Sequence, residues 1–202
     1  MIENILRASA RAHKATGVPI STHTWAAGRS GDAQQAIFAQ EGVDLRRVII
    51  GHSGDTDDLT YLRGLMARGS TIGMDCFGLD RLLPTAKCVE VVTRLCAEGY
   101  ASQMVLSHDA HCWTDMQSKE DKRRTRLHWH YTHISNHILP ALRAAGVQEE
   151  HIAKCLSTTR APSSRRATAG RHEPGALVAA AGEAGRDLCV AGTDLRLLPR
   201  GL

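Results

Sequence analysis

Four short apolar runs, each separated from the next by a longer amphipathic stretch, restrict the fold of this chain more than any other feature. The runs are residues 18–23 (VPISTH), Val48–Ile50, residues 71–75 (TIGMD) and Met104–Leu106. Helical spacing precedes and follows them. Residues 2–15 put Ile2, Ile5, Leu6, Ser9 and Ala10 on one face and stop at Thr16 and Gly17. Residues 32–40 read as a second helix, ended by Gly42. A third runs to about Ala67, with Asp55 or Thr56 able to cap it and Asp57 and Asp58 in its first turn. Residues 85–98, 134–145 and 149–156 complete the series, the first two stopped by Gly99 and Gly146. Strands alternating with helices of this length predict βαβ units and a parallel sheet.

Each run leads straight into a polar residue. His23 ends the first, His52 follows the second after Gly51, Asp75 ends the third, and Asp109 follows the fourth in Ser107-His108-Asp109. The C-terminal ends of parallel strands open on one face, where α/β proteins build their sites. Two imidazoles and a carboxylate converging there suit a divalent ion such as zinc. Asp75 is left open between a carboxylate that orients a ligand and one that packs.

Composition narrows the function classes. With 43% hydrophobic and 23% charged residues the chain falls among ordinary soluble globular proteins. The net charge of +4 owes much to arginines in the last third, and no basic stripe is interleaved with aromatics, so no nucleic-acid partner is expected. No apolar run approaches the roughly 18 residues of a membrane span, and no secretory segment opens the sequence. No membrane association and a cytoplasmic location are therefore expected. None of the six cysteines forms a C-x-x-C pair, which argues against a disulfide framework or a zinc knuckle.

Residues 17–24 (GVPISTHT), 48–58 (VIIGHSGDTDD), 73–75 (GMD) and 106–109 (LSHD) follow one another in an order and at intervals that resemble strands five to eight of the phosphotriesterase family of amidohydrolases. Residues 77–80 (FGLD) and 138–142 (ILPAL) look like its lactonase-type members. The resemblance covers residues 1–156 and implies an α/β fold, the second half of a (β/α)₈ barrel. At 202 residues the chain is short of the roughly 250 of a complete barrel. The resemblance also implies that His23 and His52 bind one metal, most simply zinc. Asp109 would bind a second metal and act as the catalytic residue, contacting a bridging hydroxide that attacks a lactone, carboxylic ester or organophosphate ester bond. The implied partner is a small-molecule ester or lactone, and a homodimer stays open. Cys76 stands where lactonase-type members carry an arginine, and Cys112 and Trp113 lie in the loop that shapes the family's pocket, so these three are expected to contact substrate.

The family's H-x-H pair on strand one and carboxylated lysine on strand four have no counterpart. His128-Trp129-His130 comes after the strand-eight motif and reads as loop or surface histidines beside an aromatic, and Lys14 lies on a helix. Residues 157–202 change character. Residues 157–170 have no apolar periodicity and read as disordered, and residues 176–184 are Ala-rich. The codons of residues 157–164 (STTRAPSS) can be written so that reading one base earlier gives VDNPRAFF, the kind of segment that closes family members. A frameshift-derived tail is the expectation. Three readings follow: a metal-dependent hydrolase, a truncated and catalytically inactive fragment, or a weak metal-binding module using His23, His52 and Asp109 alone.

Overall fold

A computed structural model describes residues 1–113, 115, 118–157 and 189–191. The chain opens with helix α1 (Ile2–Thr16), followed by strand β1 (Ile20–Thr22), α2 (Ser30–Gln40), β2 (Val48–Ile50), α3 (Leu59–Ala67), β3 (Thr71–Met74), α4 (Thr85–Ala97) and β4 (Met104–Leu106). After β4 come α5 (Lys119–Thr125), a π-turn at Ile134–Ile138, α6 (Leu139–Ala144) and α7 (Glu149–Leu156). A short strand β5 (Cys189–Ala191) ends the described part.

All strand pairs are parallel, in the order β4-β3-β2-β1-β5. Thr22 pairs with Ile50, Ile50 with Ile72, and Met74 with Leu106, so β1 and β2 end level and β3 and β4 end level two residues further on. This is the expected parallel α/β architecture, with one strand more than the four read from the sequence. The extra strand lies within the segment expected to be irregular and pairs with β1, Ile20 opposite Cys189. Residues 158–188 and 192–202, the Ala-rich residues 176–184 among them, lie outside the described residues.

Strands β2 (VII) and β4 (MVL) are wholly apolar, whereas β1 (IST) and β3 (TIGM) carry polar residues or glycine between their buried ones. Ile20, Val48, Ile50, Ile72, Met74 and Met104 are buried against Leu62, Leu65 and Met66 of α3 and Val92 and Leu95 of α4. One buried polar residue joins three elements: Gln35 of α2 donates from Nε2 to Leu65 O at 2.9 Å and to Ser70 Oγ at 2.6 Å.

Local chemistry shifts two expectations. Helix α3 is capped by Asp58, which accepts from the Tyr61 N–H at 3.0 Å, and not by Asp55 or Thr56. Those two residues lie upstream, Asp55 in a 3₁₀ turn over Ser53–Asp55. Helix α5 was not anticipated, although Ser118 begins it with a capping side chain that accepts from the Asp121 N–H at 3.0 Å. Among the described residues no helix is long and apolar enough to cross a membrane.

Phe38 of α2 is fully buried in the core. Phe38→Ala removes its ring and is expected to cost about 3–5 kcal/mol, read as a lower urea midpoint at an unchanged slope.

Candidate metal centre

The site lies just past the C-terminal ends of the strands, and two glycines make room for it. Gly51 continues the ladder beyond β2 by donating its N–H to Thr22 O at 3.0 Å. A Cβ there would stand 2.2 Å from that same oxygen. A Cβ on Gly73 would stand 2.2 Å from Asp75 Oδ2 and 3.1 Å from Gly51 Cα. Glycine at 73 leaves room for the Asp75 carboxylate to fold back across the strand ends, and glycine at 51 lets β1 and β2 stay paired beside it.

There the carboxylate accepts from the His52 backbone N–H at 2.9 and 3.0 Å, and its Oδ1 lies 3.0 Å from His52 Nδ1. Asp75 is thus the carboxylate that orients His52, one of the two roles left open by the sequence. His52 itself adopts φ 55° and Asp109 φ 51°. Residues other than glycine are uncommon in this region; such strain costs on the order of 1–3 kcal/mol and gathers at functional sites. Here it turns both side chains back over the strand ends.

His52, Cys76 and Asp109 each offer a ligand atom, all within 4.8 Å of one another. The His23 ring meets the His52 ring edge-on, with centroids 4.2 Å apart. Gln34 of α2 holds the His23 carbonyl, donating from Nε2 at 2.8 Å. The structure therefore brings His52 and Asp109 into one cluster and sets His23 against it. Cys76, expected to contact substrate, is half-buried with Sγ 3.1 Å from His52 Nδ1, inside the ligand cluster itself. Cys112 and Trp113 are exposed in the loop beyond Asp109, Trp113 by 71%.

Asp55 is the site residue that the sequence reading missed. Its Oδ1 is buried without a hydrogen-bond partner. Its carboxyl is pushed up above the ordinary range, chiefly by burial and further by Asp75 and Asp109, with Cys76 and His52 acting against the rise. Asp109 is raised in the same way, by desolvation first and by Asp75, against the pull of His52. Burial also raises the Cys76 thiol, as do Asp75 and Asp55. For His52, burial acts to lower the pKa, but the hydrogen-bonded Asp75 outweighs it and, with Asp109 and Asp55, lifts the ring to about 9.

These are the marks of a donor set that a cation would balance. Carboxylates crowd together at raised pKa, one carboxylate oxygen is orphaned, and imidazole nitrogen and thiol sulfur lie beside them. Mixed N, O and S donors fit a borderline ion such as zinc.

The profile of the phosphotriesterase family matches residues 1–162. The chain belongs to the phosphotriesterase family. It is 52% identical to a phosphotriesterase homology protein of Mycobacterium tuberculosis over 151 residues, covering 75% of this chain and 46% of that protein. It is 40% identical to an aryldialkylphosphatase of Saccharolobus solfataricus, covering 75% and 49%. Among solved structures, the phosphotriesterase of M. tuberculosis matches with a TM-score of 0.75 and 51% identity, over 76% of this chain and 48% of that one. A PTE-like lactonase of Deinococcus radiodurans matches with a TM-score of 0.66 and 36% identity, over 75% and 48%. The chain thus spans about half the length of the relatives it matches.

In the metal-free protein the His52 ring is expected to titrate near pH 9, and Asp75→Asn to bring it back toward about 6.5, as followed by NMR. Because the folded value lies above the unfolded one, the protonated pair stabilises the fold below about pH 6.5. That stability is lost as the pH rises through 9. The same proton competes with a cation for the cluster, so metal affinity should rise with pH and loading should release protons.

Proposed function

We propose that this chain carries half of the catalytic centre of a divalent-metal hydrolase that cleaves lactone, carboxylic ester or organophosphate ester bonds. The observation that carries this reading is the convergence of His23, His52, Cys76 and Asp109 on the strand ends, with Asp75 folded back to orient His52. In this reading β1 to β4 are strands five to eight of the family's barrel. Strand β5 then takes the side of β1 where strand four of a barrel would pair.

His23, His52 and Asp109 would hold the metal, with the Cys76 thiol at the rim of the same cluster. Bound divalent cations would supply Lewis acidity toward the substrate oxygen and lower the pKa of water. The protein's part is positional and protolytic. Asp75 holds the direction of the His52 ring through Nδ1, which leaves the other ring nitrogen for a metal. Asp109, held at φ 51° beyond β4, has a carboxyl that burial raises above its ordinary value and is the group placed to accept a proton from attacking water and pass it on. Cys112 and Trp113, exposed beyond Asp109, are offered as substrate contacts on the open side of the site.

A further observation favours catalytic silence for the chain on its own. The cluster holds His52, Cys76 and Asp109 with the His23 ring set against it, and no H-x-H pair belongs to that group among the described residues. That set suffices for one cation and not for the pair that the resemblance implies.

The test is to load the purified chain with zinc or cobalt and assay lactone and paraoxon hydrolysis, alone and mixed with the separately produced N-terminal half of the M. tuberculosis relative. No turnover is expected alone, and turnover on mixing. Asp109→Asn is expected to lower kcat of the mixture by about 10²–10⁴ with little change in KM. Two tightly held metals with turnover by the chain alone would contradict the half-site reading. Failure of His52→Ala to weaken metal binding would contradict the centre itself.

A further inference from the structure

A second group of ligand-type side chains lies in the segment after β4 and shares no residue with the cluster above. His130, His133 and His137 each offer a ring nitrogen, and the three lie within 4.8 Å of one another. The sequence alone gave His130 no role beyond that of a loop histidine.

The backbone that gathers them is the π-turn at Ile134–Ile138, closed by the Leu139 N–H on Ile134 O. Pro140 follows at once. Proline has no N–H for the carbonyl four residues back, and its ring crowds that carbonyl. The helix therefore enters α6 through one widened turn, a feature often found at functional sites. His133 precedes the π-turn, His137 lies within it, and His130 is drawn in by the turn bond from the His133 N–H to His130 O at 3.1 Å.

His133 decides the argument. It is only 3% exposed, yet neither of its ring nitrogens has a hydrogen-bond partner. An unmet buried polar group costs about 1–3 kcal/mol, and an ion is one of the things that meets such a group. Its neighbours are further imidazoles, with ring centroids 5.6 Å away at His128, 5.6 Å at His130 and 5.1 Å at His137. Thr132 Oγ1 lies 3.1 Å from His130 Nδ1, the kind of contact that steadies a metal-ligating imidazole. The frame around the group is anchored. Trp129 is buried and donates from Nε1 to His108 O at 2.5 Å. A Cβ on Gly78 would stand 2.1 Å from His128 O, so the turn after β3 packs directly on this backbone.

We infer that His130, His133 and His137 form a second transition-metal site, separate from the hydrolase centre, with His128 in reach of a fourth position. An all-imidazole set suits Zn²⁺, Ni²⁺ or Cu²⁺ and not Mg²⁺ or Ca²⁺. Its effect is structural: one ion ties the loop after β4 to the start of α6.

The experiment titrates the tag-free, metal-stripped chain with Zn²⁺ against a chromophoric chelator. It compares wild type, a His130→Ala/His137→Ala variant and a His52→Ala/Asp109→Asn variant, with far-UV circular dichroism on each. The His52/Asp109 variant is expected to keep one bound Zn²⁺. The His130/His137 variant is expected to lose one relative to wild type at an unchanged spectrum. Should that double variant misfold, His137→Ala alone carries the comparison, because its side chain is exposed. Equal Zn²⁺ uptake by wild type and the histidine-cluster variant overturns the proposal. So does uptake that disappears entirely in the His52/Asp109 variant, a result that would leave the hydrolase centre standing.

Discussion

The fold-back of Asp75 onto His52 is the contact on which the rest of the site depends. One carboxylate accepts from the His52 backbone N–H and reaches its Nδ1. It thereby holds the positive-φ backbone at His52 and fixes the direction of the ring. It can do so because Gly73 leaves the strand end bare; a Cβ there would collide with the carboxylate itself. The C-terminal ends of four parallel strands, all opening on one side, then set His23, Cys76 and Asp109 around that fixed imidazole.

The electrostatics follow from the same packing. Asp55, Asp75 and Asp109 share a small, partly dry space, so burial and mutual repulsion raise Asp55 and Asp109 while their field protonates His52. Protons thus occupy a site whose donors suit a cation. Exchanging those protons for a divalent ion would relieve the crowding of Asp109 and its neighbours. The sheet does not depend on these charges. The core of Phe38, Leu62, Leu65 and Leu95 is built on the helix faces, away from the strand ends.

Much of this was legible in the sequence because strands and strand ends have a clear signature. The apolar triplets at Val48–Ile50 and Met104–Leu106 could only be buried strands, and the histidines and aspartates that follow them had to open on one face. Asp55 was hidden because four residues in a row there can cap a helix; which one does is decided by the reach of Asp58 to the Tyr61 N–H. Cys76 resembled a pocket residue in one dimension, and only the fold-back of Asp75 brings its sulfur to His52. The histidine group at His130, His133 and His137 has the i, i+3, i+7 spacing of one helix face, but the apolar periodicity begins only at Ile134, so His130 and His133 fell outside the helix read from the sequence. Strand β5 has three residues with no periodicity to announce them, and pairing with β1 is a property of the whole sheet.

The most direct test of the central claim is anomalous diffraction at the zinc edge from crystals of the chain grown with Zn²⁺. The account predicts a peak bounded by His23, His52 and Asp109, with the Asp75 carboxylate still on His52 Nδ1. A chain that binds zinc with no peak at those three residues, or with His52 turned away from Asp75, would contradict it.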